Sequence, residues 1–142
     1  MELVLDASAA LAWLAKRADP TEDQLAYAAL RHLQSQGAVV PALWFHEVAN
    51  GALVIERRGG GIRFVSAAYF GFVETLPIEQ DTARPSALVG TVVALARSYN
   101  LTAYDATYLE LVLRTGRELA TFDGQLADAV RSAGGRVFGD PA

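Results

Sequence analysis

The chain has 142 residues, 52% of them apolar, with 16 acidic against 12 basic side chains and a net charge of −4. That length and apolar share suit one domain with its own core, expected to span residues 1–142, while the negative balance excludes a global basic field for holding nucleic acid without sequence preference. The lack of cysteine excludes disulfides and thiolate metal sites and fits a cytoplasmic location, and no apolar run approaches the roughly 20 residues of a membrane span.

"ELVLD" (2–6) predicts a short buried strand and "SAALAWLAKR" (8–17) a helix after it. The charges around this segment, Glu2 and Asp6 before and Lys16 and Arg17 after, run opposite to a secretory signal's basic-then-apolar order. "DPTEDQ" opens the next helix, with Thr21 as cap and Gln24 three residues on in a capping box, and Gly37 closes it. "AVVPALWF" (38–45) holds a second strand limited to its first few residues, because Pro41 removes a ladder donor. A helix through "HEVANGALVIERR" runs to the triple glycine at 59–61. "IRFVSAAYFGFVETL" (62–76) is amphipathic, with its aromatics serving the core or a dimer face, and "LPIEQ" is a weak third strand. Helix "SALVGTVVALARSYN" (86–100) leads into "LTAYDATYLELVLRTG" (101–116), where Tyr108, Leu109, Val112 and Leu113 recur at helical spacing. Strand "ELATFD" (118–123), a helix through "GQLADAVRSAG" and a last strand in "GRVFG" complete the series. Strands alternating with helices imply a parallel sheet between helical layers.

That architecture sorts the acids. Glu22, Asp23, Glu56, Glu74, Glu110 and Asp128 fall on or near polar helix faces. Asp6 ends the first strand, Glu47 opens the helix after the second, Asp105 opens a later helix, and Asp123 ends the penultimate strand. The crevice of an open α/β sheet lies beyond the carboxyl ends of its strands, where these four can converge. Asp105 has a simpler reading as well: an Asp at the N-cap of a helix contributes about 1 kcal/mol by accepting a backbone hydrogen bond.

Convergence would demand compensation, because two charges about 4 Å apart repel by roughly 4 kcal/mol at an effective dielectric of 20. No basic residue lies within three positions of Asp6, Asp105 or Asp123. An all-oxygen donor set of this kind suits Mg²⁺, or Mn²⁺ in its place. Zinc is disfavoured: "HEVAN" (46–50) has Asn50 where a zinc helix needs its second histidine, so His46 and His32 read as packed or solvated.

In this order, "LVLDASAALAWL", "WFHEVAN", "LTAYDATYLELV" and "LATFD" resemble the acidic motifs of PIN-domain ribonucleases, particularly the VapC-type toxins of bacterial toxin–antitoxin pairs. The resemblance implies a PIN-like three-layer α/β/α sandwich with a central parallel sheet of four to five strands. It also implies that Asp6, Glu47, Asp105 and Asp123 form an acidic quartet binding Mg²⁺ for the hydrolysis of RNA phosphodiester bonds. Asp6 and Asp105 would be direct ligands; Glu47 and Asp123 would bind directly or through water, or orient the attacking water. A VapB-type antitoxin, a homodimer and an RNA substrate are the partners it implies. The aromatic helix at 62–76 is the candidate surface for a protein contact, with no role for a membrane.

Beside the quartet, Ser8 and Thr121 lie two residues from Asp6 and Asp123, where a hydroxyl can hold a carboxylate or water; Ser8 alternatively caps its helix. Asn50 shares a helix face with Glu47 and can orient it. Asp81 reads as a turn residue ahead of Pro85, and Arg57, Arg58 and Arg63 as a solvated basic loop or a phosphate grip. Competing classes fare worse. An aspartyl phosphatase needs an acid where Ser8 stands, a receiver domain needs a late lysine where the only lysine is Lys16, and no phosphate-binding loop occurs. A non-catalytic PIN-like interaction module is the remaining alternative.

Overall fold

The computed structural model describes residues 1–59 and 63–141. Four short strands, β1 (Leu3–Leu5), β2 (Ala38–Val40), β3 (Ile78–Gln80) and β4 (Leu119–Ala120), form one parallel sheet in the order β3-β2-β1-β4. Seven helices surround it among the described residues: α1 (Ala7–Leu11), α2 (Pro20–Gln36), α3 (Leu43–Arg58), α4 (Arg63–Glu74), α5 (Pro85–Tyr99), α6 (Ala103–Thr115) and α7 (Gly124–Ser132). α1 packs on α2 and α3, and α3 on α4; α5 packs on α6, and α6 on α7 and β1. The result is the expected three-layer α/β/α sandwich.

Three of the strands are buried on both faces, every residue of β1, β2 and β4 being buried, as a parallel sheet covered by helices requires, while the edge strand β3 is partly exposed. Leu3, Val4, Leu5, Val40, Leu109, Leu111, Val112, Leu119, Leu126 and Trp44 form its nearly water-free core. Between α1 and α3 the Leu11 side chain lies over Gly51, where an added methyl group would come 2.2 Å from its end. A larger residue at this position, one turn after Glu47, requires Leu11 to move.

Strand order determines where a site can form. The chain runs β1, β2, β3 in one direction across the sheet and then returns to place β4 on the far side of β1. Connections leave β1 and β4 in opposite directions, and the crevice beyond their carboxyl ends is the switch point at which α/β proteins bind ligands.

Several elements differ from expectation. α1 ends at Leu11 rather than Arg17; the chain tightens into turns there, and Trp13 donates from Nε1 to the Ala26 carbonyl of α2 (2.9 Å). The cap of α2 is Asp19, not Thr21: Pro20 occupies the first helical position, and the Asp19 carboxylate accepts from the Thr21 amide. α3 begins at Leu43, so Glu47 stands in its second turn rather than at its opening; the buried Trp44 extends the packed face toward Pro41. "GRVFG" makes only one parallel bridge, Val137 to Leu119, because glycines in positive-φ conformations at 134 and 139 turn the chain on either side. Of the triple glycine only Gly59 is described, capping α3; Gly60, Gly61 and Ile62, and the side chain of Arg63, lie outside the described residues. In α4, Tyr69 is core: it is 6% exposed and donates its hydroxyl to the Ala10 carbonyl, which leaves Phe70 and Phe72 as the exposed aromatics.

Candidate functional site

Asp6 follows β1, and its amide extends the ladder to the Ala120 carbonyl of β4 (3.0 Å). Its carboxylate is 6% exposed, and Oδ2 accepts hydrogen bonds from Ser8 Oγ and Thr121 Oγ1, both at 2.6 Å. The two hydroxyls also stitch the strand ends together, since Ser8 Oγ accepts from the Phe122 amide and Thr121 Oγ1 from the Asp123 amide, each at 2.9 Å. Ser8 is thus not a helix cap. Burial pushes the Asp6 carboxyl above its ordinary range, against those donors and with a further upward push from the Asp123 charge.

Asp123 caps α7, with Oδ1 accepting from the Leu126 amide (3.0 Å). Asp105 does not cap α6. Thr102 is the cap, its hydroxyl accepting from the Asp105 amide (3.1 Å), and the Asp105 carboxylate receives no hydrogen bond among the described residues. Burial first, and then the charges of Asp123 and Asp6, raise Asp105 from an ordinary 3.8 to about 6. Half-buried Glu47 accepts from the Tyr108 hydroxyl at 2.6 Å. It too is raised, by burial and by the charges of Asp6 and Asp105, against the lowering effect of the Tyr108 bond.

The four acids therefore sense one another: Asp6 with Asp123, Asp105 with both, and Glu47 with Asp6 and Asp105. None pairs with an arginine or lysine among the described residues, while six other acids do. Two of those six are informative. Asp81 is bound by Arg114, as befits a residue outside the cleft, and Glu110, expected on a polar face, is instead 6% exposed and also held by Arg114. Glu110 is buried while the exposed Arg114 reaches over it to Asp81.

An uncompensated set of carboxylate oxygens has the donor chemistry of a hard dication site. Among the described residues no three histidine, aspartate or glutamate side chains stand close enough to hold a metal ion as a closed cluster. Mg²⁺ does not require one: it retains several waters and takes one or two carboxylates directly. Asn50 is exposed and makes no hydrogen bond to Glu47; the partner of Glu47 is Tyr108. Tyr108 reads in the sequence only as a core residue, although a tyrosine in a core position signals that its hydroxyl has a partner. His46 is exposed, and His32 bonds the Met1 carbonyl and meets the Phe138 ring edge.

Thr121→Val keeps the shape but removes both hydrogen bonds, leaving Asp6 with one donor and the Asp123 amide with none. A loss of about 1–3 kcal/mol is expected in denaturant unfolding; an unchanged midpoint would mean that the hydroxyl does not hold Asp6.

The family model described as the PIN domain matches residues 3–131. Among solved structures, the chain is similar to the crystal structure of PAE2754 from Pyrobaculum aerophilum, with 21% sequence identity, a TM-score of 0.68, and coverage of 91% of this chain and 84% of that one. That likeness concerns the fold. No curated protein matches the sequence.

Proposed function

The chain belongs to the PIN-domain family, whose members are generally nucleases, and from that premise we propose that it is a Mg²⁺-dependent endoribonuclease, the toxin of a VapC-type toxin–antitoxin pair. The observation that carries this reading is the set of four acids at the β1/β4 switch point, three of them with raised pKa values and none with a basic partner among the described residues. In this reading Asp6 and Asp105 hold the ion directly, and Glu47 and Asp123 hold it directly or through water. When bound, the ion neutralises phosphate oxygens and makes a water nucleophilic near neutral pH.

The chain's own part is positioning and charge. Ser8 and Thr121 fix one oxygen of Asp6 and so orient the other. Four carboxylates without a cation repel a phosphodiester, so RNA binding is coupled to cation binding. The antitoxin would silence the site by presenting arginine or lysine to the same carboxylates. A homodimer is the proposed working unit. Support comes from apolar side chains left on the surface, Val89 of α5 and Phe70 and Phe72 of α4. A cavity of about 410 Å³ lined by Leu88, Val89, Val92 and Val93 adjoins α5. It is mainly apolar, lies beyond the ends of β2 and β3 between α5 and α6, and none of the four acids lines it, which favours a protein contact there. No described helix is long and apolar enough to cross a membrane.

The test is to map RNA 5′ ends after brief expression in a bacterial host, beside Asp6→Ala. Discrete new ends in the wild type and none in the variant are expected. The same ends in both, or in neither, would contradict the assignment.

A further inference from the structure

Tyr108 of α6 is fully buried, and its hydroxyl donates to Glu47 Oε1 at 2.6 Å. It lies three residues after Asp105, on the same face of α6. Glu47 comes from α3, whose own cap residue, Ala42, makes no side-chain bond. The Tyr108 bond is the only side-chain hydrogen bond of Glu47 among the described residues.

We propose that Tyr108 is a positioning residue: it holds Glu47 through Oε1 so that Oε2 faces the acidic cleft in register with Asp105. The inference rests on the metal-binding reading of the cleft. A glutamate side chain has three rotatable bonds, and ordering it at the moment of ion binding would weaken the site. Tyr108 carries out that ordering during folding, because its ring is fixed by the packed core and cannot follow a wandering carboxylate. α6 thereby supplies one acid of the cleft itself and sets a second from across it. A hydroxyl at this position also satisfies one carboxylate oxygen without adding positive charge, leaving the negative field of the cleft for a cation. Partners that orient ligands in this way are worth about ten- to a hundredfold in metal affinity when removed.

The experiment is a calorimetric titration of Mn²⁺ into the full chain for wild type, Tyr108→Phe, Glu47→Ala and the double variant, with unfolding in chelator as the control for the fold. Tyr108→Phe retains the ring that fills the core. The expected result is Mn²⁺ binding about tenfold weaker than wild type, with no further loss when Tyr108→Phe is added to Glu47→Ala. Equal Mn²⁺ affinity in wild type and Tyr108→Phe, or the same loss with and without Glu47, overturns the positioning role while leaving the metal site intact. No Mn²⁺ binding by wild type overturns the metal site and the inference with it. A second measurement needs no variant to fold: in Mg²⁺-saturated wild type, the Tyr108 hydroxyl proton is expected as a downfield, slowly exchanging resonance. Its disappearance on Mg²⁺ addition would show that the bond is not kept when the site is filled, against the proposal.

Discussion

Asp105→Asn is expected to lower RNA cleavage to near background and, in the absence of divalent cations at neutral pH, to raise the melting temperature. The two effects have one origin. Asp105 has no capping duty, which Thr102 discharges, and no hydrogen-bond donor among the described residues. Its folded-state pKa of about 6 lies above the ordinary 3.8, through burial and the neighbouring Asp123 and Asp6. At pH 7 it is ionised in both states, so folding bears the cost of that ionisation, and an isosteric neutral amide removes it. Half-exposed and screened by solvent, the group yields a gain of about 1 kcal/mol, a few degrees in melting temperature. On the proposed metal-binding reading, losing a ligand worth several kcal/mol of charge stabilisation is expected to lower the cleavage rate by roughly a thousandfold. Melting in chelator and a cleavage assay check both halves. A destabilised variant would return Asp105 to a structural role.

The second large effect couples pH to cation. Asp6, Glu47 and Asp105 all have folded pKa values above their ordinary ones. Between about pH 4 and 6 the folded chain therefore holds more protons than the unfolded chain, and stability without cation falls as pH rises through that window. Asp81 and Asp140, lowered by Arg114 and Arg131, act the other way and lose their contribution only as pH falls below about 4. A divalent ion that binds only the ionised, folded cleft restores stability, by about 2.7 kcal/mol at a hundred times its dissociation constant. Protons compete with it, so the gain shrinks at low pH. Melting curves with and without Mg²⁺ should separate widely at pH 7.5 and hardly at pH 5. Equal separation at both, or none, would contradict a carboxylate site.

What was legible in the sequence is what local chemistry determines. The strand-helix alternation, the strands' apolar runs and the place of Asp6, Asp105 and Asp123 beside a strand or helix end follow from short-range pattern, whereas Glu47 stands a turn deeper in α3 than its pattern suggests. Thr102 three residues before Asp105 carried the capping signal as well, since a threonine hydroxyl reaches the third helical amide. What escaped depends on contacts distant in the chain. The strand order that sets β4 beside β1 brings Thr121 to Asp6. The approach of α3 to α6 gives Tyr108 to Glu47 rather than leaving that role to Asn50. Arg114 reaches over the buried Glu110 to Asp81, which follows β3. α1 stops short because Trp13 finds its acceptor on α2, a partner that no periodicity in residues 8–17 reveals.

The measurement closest to the central claim is cleavage of single-stranded RNA by the purified chain at neutral pH, first in Mg²⁺ and then with the ion withdrawn by chelator and restored. The account predicts cleavage that stops on withdrawal, resumes on restoration and is absent throughout in Asp6→Ala. Cleavage that persists in chelator, or that Asp6→Ala retains, would contradict it.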